Sequence, residues 1–339
     1  MNLGHVLLAT LKTGTGKSTL VKFIIQALNL DPKDVTYIAY TGKAALILKE
    51  KGCPNAMTSH RLLYESYPRN DGTFFHKIKR PLDHPYKLIV VDEVSMLPKE
   101  LWDLLLSHKI PVIALGDPGQ LEPIGEDNGV LKHPHIFLDE IMRQAQESEI
   151  IRLTMDIRNK KPLHLYQGNE VQIYDPNALC DGMLDWADQI LCGKNITRKY
   201  LNHLRRKQLF STEESTPLVG DKIICLRNDY DVISDSGEDP LINGMVGTLT
   251  EVKFIPNYPF LGTGMKGTFN LGEDKFEGLN MDLKIFTEGE PFINKNNFKK
   301  IPKPMKPKEF DYGYAITCHK AQGSEYDNVL VLEEFLRGG

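Results

Sequence analysis

Nowhere in this sequence do two cysteines come close together. Cys53, Cys180, Cys192, Cys225 and Cys318 are scattered and form no C-x-x-C pair. That argues against a zinc module and a disulfide framework, and it fits a reducing compartment. Long apolar runs are missing as well: none approaches the ~20 residues that cross a bilayer. The N-terminal "HVLLATL" has no basic leader and feeds straight into a glycine loop, so it reads as a strand and not as a signal peptide. The expectation is a cytoplasmic protein with no membrane partner. Positive charge is not in excess either, because the formal net charge is -4. A polybasic chain is excluded, but a basic groove inside a mildly acidic total is not. No fixed-period repeat is present.

What the sequence does have is an ordinary globular composition, 41% hydrophobic and 25% charged, over 339 residues. A chain of that length is too long for one core and divides into domains. The first third alternates apolar runs with helical patterns. "HVLLATL" precedes "KSTLVKFIIQAL", where Leu20, Phe23, Ile24 and Ala27 recur at helical spacing. "VTYIAY" precedes "KAALILKEKG", and "YKLIVVDE" and "IPVIALGD" are the near-continuous apolar runs of buried parallel strands. This grammar predicts a doubly wound α/β domain with ligands beyond the carboxyl ends of its strands.

Between "SHRLLY" and "YKLIVVDE", the Asn-Asp-Gly turn of "ESYPRNDGTFFHKIKRPLDHP" predicts a hairpin excursion over about 65–86. A second unit is expected from residue 165, opening with "EVQIYD", a helix around "LDWADQIL" and a basic helix "TRKYLNHLRRKQLF". Short alternating strands broken by Gly, Asn and Asp then predict a small β-barrel-like insert over about 217–308. "NKNNFKKIPKPMKPKEFDYG" is a Lys- and Pro-rich connector, and "GYAITCHKAQGSEYDNVLVLEE" returns to α/β grammar.

The chemistry collects at the predicted strand ends. "LKTGTGKSTL" nearly matches the phosphate-binding loop G-x-x-x-x-G-K-[ST], with Leu11 where the first glycine belongs. Backbone N–H groups from Gly14 through Thr15, Gly16, Lys17 and Ser18 to Thr19 would cradle phosphates at a helix N-terminus. Lys17 would reach the β- and γ-phosphates, and Ser18 would bind Mg²⁺. The missing glycine shapes only the turn, so Leu11 removes no group that touches phosphate. In "LIVVDEVSM", two adjacent carboxylates end an apolar strand. Such a pair alone is commonly a helix cap, here for "PKELWDLLLS". Beside a phosphate loop, Asp92 reads as the Mg²⁺ holder and Glu93 as the group that activates water. Asp117, Gly119 and Gln120 in "ALGDPGQLEPIG" and Arg143 in "LDEIMRQAQES" are placed to feel a γ-phosphate.

GTGKST, VVDEVSM, GDPGQLEPI, LDEIMRQA and YAITCHKAQGSEYD, in that order, resemble superfamily 1 DNA helicases of the RecD/Dda-like branch. The resemblance spans residues 11 to 331. It implies two RecA-like P-loop domains, 1–164 and 165–339, with ATP between them, and 5′-to-3′ movement on single-stranded DNA coupled to unwinding. It assigns Gln120 and Arg143 to γ-phosphate sensing. It makes the hairpin a strand-separating pin with Phe74 or Phe75 at its tip, and the β insert an SH3-like subdomain. Thr41 and Lys43, Thr58 and His60, Asn195, Arg198 and Asn202, and Thr317, His319, Lys320 and Gln322 match its DNA-tracking motifs. These hydroxyls, amides and cations suit phosphate contacts without base readout. The implied partners are single-stranded and forked duplex DNA, engaged by a monomeric motor that other replication or repair proteins load, in a bacterial or phage-infected cell.

Besides Leu11, the sequence departs from that family at its two ends. No glutamine-containing adenine motif precedes the loop, and "FLRGG" comes before any Thr-Arg motif carrying a second arginine. A piece of a longer chain is the expectation that follows. Two other functions stay open: an ATP-switched DNA-binding module that does not unwind, and, less supported, a DNA-independent phosphotransferase.

Overall fold

The computed structural model describes residues 6–11, 17–53, 55–68, 74–120, 126–138, 148–235, 240–258, 262–272, 274–291 and 306–334, with backbone alone at 6–11, 17–20, 22, 66, 68, 74–76, 137–138, 230, 257–258 and 262. The chain forms two compact units, one of Met1–Glu65 with His76–Leu179 and the other of Ser66–Phe75 with Cys180–Gly339.

The first unit opens with β1 (Val6–Leu11), α1 (Lys17–Ala27), β2 (Val35–Ala39), α2 (Gly42–Glu50), β3 (Ala56–Thr58) and α3 (Ser59–Leu63). After β4 (Tyr64–Pro68) and β5 (Phe74–Ile78), which pair as a two-stranded sheet, come β6 (Leu88–Val91), α4 (Lys99–Leu106), β7 (Val112–Gly116) and β8 (Ile136–Leu138). Six strands make one sheet in the order β3-β2-β6-β7-β1-β8, every neighbouring pair parallel. The all-apolar β6 shows why such strands read as continuous runs. Its side chains alternate between two covered faces. Ile89 and Val91 join Leu62, Leu97, Leu101 and Trp102 in one core, and Leu88 and Val90 join Val21, Ile113 and Leu115 in the other. α1 seals the second face with Val21, Ile24 and Ile25, while Phe23, expected on the packed face, is 63% exposed. Among the described side chains of this helix, Val21 rather than Phe23 carries the buried contact beside Ile24 and Ile25.

α5 (Glu149–Arg158) and the hairpin of β9 (Tyr166–Gln167) and β10 (Gln172–Ile173) complete this unit. Glu149 holds the hairpin, accepting from the Glu170 and Val171 backbone N–H groups at 2.8 and 3.0 Å and from the Tyr166 hydroxyl at 3.0 Å. These backbone bonds hold Glu149 below the usual carboxylate range. The segment "EVQIYD", read as the start of the second unit, is thereby fastened to α5, and the division between units falls at Leu179.

The second unit contains α6 (Asp181–Trp186), β11 (Gln189–Cys192), α7 (Asn195–Phe210), β12 (Lys222–Cys225), β13 (Asp229–Ile233), β14 (Pro240–Leu241), β15 (Val246–Tyr258), β16 (Gly262–Leu271), β17 (Asp274–Met281), α8 (Leu283–Glu288), β18 (Phe310–Tyr312), β19 (Ala315–Thr317), α9 (Cys318–Ala321) and β20 (Val329–Val331). β11 is the middle strand of a parallel sheet ordered β19-β11-β20. The helix expected around "LDWADQIL" therefore stops at Trp186, and "QILC" is a strand. Parallel partners on both sides claim its backbone, which local propensity could not foresee.

A five-stranded antiparallel sheet, β17-β16-β15-β12-β18, stands where the β insert was expected. It extends past residue 308, because β18 pairs with β12 and then leads through Gly313 into β19. Phe269, Phe276 and Phe310 fill its core with ring centroids 5.9 and 5.2 Å apart. Gly247 is required there: a Cβ on it would lie 2.0 Å from the Asn270 carbonyl oxygen. A buried ion pair joins α7 to this sheet. Arg206, 2% exposed, donates to Asp221 Oδ1 at 2.9 Å and to the Glu214 and Thr216 carbonyls at 2.5 and 2.7 Å. Its guanidinium lies 4.3 Å from the Tyr312 ring centroid.

Candidate functional site

The sheet of the first unit gathers the sequence motifs along one edge. β6, β7, β1 and β8 are neighbours, and register pairs Val91 with Ala114, Thr10 with Gly116 and Leu11 with Leu138. The four strands consequently end side by side at the carboxyl edge of the sheet, with Asp92 just past β6 and Asp117 just past β7. That edge is where parallel α/β sheets bind ligands. Of the phosphate loop, Gly14, Thr15, Gly16 and Arg143's segment lie outside the described residues. Lys17, Ser18 and Thr19 form the first turn of α1, with their side chains outside the described set. α1 directs its N-terminal dipole to the same edge, where anions are favoured.

Asp92 and Glu93 do not cap α4, whose N-cap is Pro98. They lead instead into a 3-10 turn, Val94–Met96. Asp92 Oδ1 accepts the Glu93 backbone N–H at 3.0 Å, and Glu93 sits in the left-handed region with φ 50° and ψ 50° and makes no side-chain cap bond. A left-handed non-glycine residue costs of order 1–2 kcal/mol and persists where its surroundings over-determine it. Here Asn128 supplies that constraint, donating from Nδ2 to the Val94 and Leu97 carbonyls at 2.8 and 2.6 Å. Gly116 adds to it, because a Cβ there would meet Val94 at 2.8 Å. The half-buried Asp92 carboxylate offers hard oxygen ligands, as Mg²⁺ requires.

The next strand carries the second element of the site. Asp117 is fully buried; its Oδ1 accepts the Gly119 N–H at 2.9 Å and its Oδ2 pairs with Arg158 of α5. The Gln120 N–H closes the turn on the Asp117 carbonyl at 3.1 Å. The Gln120 side chain faces the carboxylate turn, with Ser95 Oγ donating to its Oε1 at 3.4 Å.

The residues expected to track DNA occupy more varied positions. Thr41, two residues past β2, and Thr58, the last residue of β3, are the N-caps of α2 and α3, accepting the Ala44 and Arg61 N–H groups at 3.2 Å each. Lys43 is half-buried, and burial lowers its pKa. His60 is exposed and packs near Tyr40 and Tyr64, ring centroids 6.2 and 5.9 Å away. Phe74 and Phe75 begin β5, with side chains outside the described set.

In the second unit, Asn195 Oδ1 accepts from Arg198 Nε at 3.2 Å, and Arg198 also pairs with Asp311 at 2.7 Å. Asn202 is 3% exposed and clamps α7 to β19, donating to the Ala315 carbonyl at 3.0 Å and accepting its N–H at 2.9 Å. The expectation that Asn202 faces DNA is corrected by that burial. Thr317 is buried at the end of β19, and His319 is exposed. Lys320 is half-buried and donates to Asn243 Oδ1 at 2.7 Å; burial is the main cause of its lowered pKa.

Residues 4–176 match the family model described as AAA domain, half of the chain. The chain belongs to that AAA family. Residues 312–338 match a second model, the UvrD-like helicase C-terminal domain. The chain is 27% identical over 237 residues to the ATP-dependent DNA helicase dda of Enterobacteria phage T4, covering 62% of this chain and 54% of that protein. It is 28% identical over 347 residues to the ATP-dependent RecD2 DNA helicase of Deinococcus radiodurans, covering 95% of this chain and 42% of that protein. The chain thus spans about half the length of these curated relatives. Its fold matches a Pif1 helicase from Candida albicans with TM-score 0.51 and 17% identity, over 97% of this chain and 84% of that one. It matches a Bacteroides Pif1 bound to single-stranded DNA with TM-score 0.52 and 18% identity, over 96% and 82%.

Sequence reasoning missed several residues that hold these elements within each unit. Arg158 and Asn128 carry no motif spacing, because their partners lie 31 to 41 residues away in turns beyond other strands. Glu334, just past β20, also escaped notice. It accepts the Gly193 and Lys194 N–H groups at 2.7 and 2.9 Å and the Thr197 hydroxyl at 2.5 Å, so a carboxylate from the chain itself occupies the N-terminus of α7.

Proposed function

We propose that this chain is an ATP-driven DNA helicase motor that moves 5′ to 3′ on single-stranded DNA. The observation that carries the reading is the convergence of the Asp92–Glu93 turn and the Asp117–Gln120 turn at one sheet edge, joined through Ser95 and Gln120 and neighbouring β1 and α1. In this reading Lys17 and the N–H groups of the loop bind the phosphates of ATP. Mg²⁺ would be held through Asp92 and the Ser18 hydroxyl and would neutralise charge developing on the transferred phosphoryl group. Glu93 orients and deprotonates the attacking water, and its strained backbone fixes the carboxylate at the strand end. Gln120 contacts the γ-phosphate, and Arg143 neutralises transition-state charge.

Thr41, Lys43, Thr58 and His60 of the first unit, and Asn195, Arg198, Thr317, His319 and Lys320 of the second, contact DNA phosphates. Phe74 and Phe75 split the duplex as a pin, and the five-stranded sheet is the SH3-like subdomain. The two RecA-like domains work as a monomer.

The test is steady-state ATP hydrolysis with and without single-stranded DNA, beside Lys17→Ala, followed by strand separation on a forked duplex. DNA-stimulated turnover that Lys17→Ala abolishes, with unwinding of forks carrying a 5′ tail, is the expected result. Stimulated turnover without unwinding would replace the motor by an ATP-switched DNA-binding module. Turnover indifferent to DNA would sink both.

A further inference from the structure

Asp117 is a carboxylate removed from solvent at the end of an apolar strand, an arrangement that is costly unless the charge is paired. Both of its oxygens are engaged, one by the Gly119 N–H at 2.9 Å and the other by Arg158. The guanidinium also lies over the turn itself: a Cβ added to Gly119 would come within 3.0 Å of Arg158 Cζ. A side chain at position 119 would press on the guanidinium and require it to give by a few tenths of an ångström. The carbonyl of the same Asp117 accepts the Gln120 N–H at 3.1 Å, and the Gln120 side chain meets Ser95, two residues beyond Glu93. One buried carboxylate thus shapes the whole turn from 117 to 120, and Arg158, reaching in from α5, is the cation that holds that carboxylate in place.

We propose that Arg158 is a positioning residue for ATP turnover: through Asp117 it fixes the turn that aims Gln120 at the γ-phosphate. The catalytic consequence rests on the reading of Gln120 above, while the holding of the turn stands on contacts among Arg158, Asp117, Gly119 and Gln120. In Arg158→Met the carboxylate loses its cation, the turn loosens, and Gln120 drifts from the position it needs at the transition state. Misplacing such a group by about 1 Å costs on the order of 100-fold in rate. Binding of the adenine and the α- and β-phosphates does not pass through this turn, so KM for ATP should stay within about twofold while kcat falls about 10- to 100-fold. Arg158→Lys keeps the charge but loses the planar fork, so it should restore part of the loss.

The experiment has two arms on the full chain. Hydrogen exchange at the Gly119 and Gln120 amides reads the turn directly. Arg158→Met should quicken both by tenfold or more and leave Ile113–Leu115 of β7 unchanged. The second arm is a double-mutant cycle of Arg158→Met and Gln120→Ala on DNA-stimulated kcat. If Arg158 acts through Gln120, the Met substitution should add less than twofold once Gln120 is gone. Losses that multiply, or unchanged exchange at Gly119 and Gln120, overturn the proposal. Should Arg158→Met fail to fold, Asp117→Asn/Arg158→Met removes both charges together and is read in the same two ways. A wild-type chain without ATP turnover would sink the functional reading, and the exchange arm would still decide whether Arg158 holds the turn.

Discussion

The Arg206–Asp221 pair gives the sharpest quantitative prediction about the second unit. Arg206 is 2% exposed and Asp221 fully buried; besides Arg206, the carboxylate accepts the Leu218 N–H at 2.7 Å and the Tyr314 hydroxyl at 3.0 Å. Arg206→Met fills similar volume but deletes the charged hydrogen bond to Asp221, both bonds to the Glu214 and Thr216 carbonyls, and the stacking on Tyr312. Removing one partner of a buried pair costs about 3–5 kcal/mol. At roughly 1.4 kcal/mol per factor of ten, that is about 150- to 4,000-fold in the opening equilibrium. In a chain of two compact units a single melting temperature is not a well-defined measure of one of them. Hydrogen exchange by mass spectrometry resolves it. Peptides covering α7, β12 and β18 should exchange faster by that factor, and peptides covering β2, β6 and β7 should not change. Less than fivefold acceleration at β12 and β18, or equal acceleration in both units, would refute the claim that this pair is buried and joins α7 to the sheet.

Glu93→Gln should bind a fluorescent ATP analogue as wild type does and lose turnover by about 100-fold or more; loss of binding instead would remove Glu93 from the base role. Replacing Phe74 and Phe75 together by Ala should impair fork unwinding more than translocation along single strands, and equal losses would dismiss the pin. Burial pushes the Cys192 thiol to about 11 and the Cys225 thiol to about 12, while Cys180 is exposed. Alkylation of the native chain near neutral pH should therefore label Cys180 well ahead of Cys192 and Cys225, since only the thiolate reacts; comparable rates at all three would contradict the burial. Burial also lowers the Lys320 pKa, so its charge is present below that lowered value and is lost at a lower pH than that of a surface lysine. If Lys320 contacts phosphate, DNA affinity should fall on the alkaline side of neutrality, and Lys320→Arg should flatten the fall. Identical profiles for the two proteins would take Lys320 out of the DNA contact.

Much of the first unit was legible because its information is local. An apolar run followed by Asp-Glu, or by Asp-Pro-Gly-Gln, names a strand and the polar residues that must leave its end, whatever the neighbouring strands are. The two carboxylates of the 92–93 turn could be placed at a ligand edge on that ground alone. The second unit was less legible where long-range pairing overrode local preference. "QILC" is a strand because β19 and β20 flank it, and "EVQIYD" belongs with α5 because Glu149 takes up the hydrogen-bond donors of its hairpin.

By itself the sequence determined the alternation of elements, the strand-end position of the motif residues, and the family they point to. The first two follow from a periodicity or spacing within a few residues, and the family from the resemblance of the motifs taken in order. Only the tertiary structure decided which ends are neighbours, that Asn202 is a clamp inside the second unit, and that Arg158, Asn128 and Arg206 hold the turns and sheets in place. Those roles are fixed by buried polar groups finding partners far away in the chain. A buried carboxylate or carbonyl must be satisfied, but nothing in its immediate sequence says by which residue.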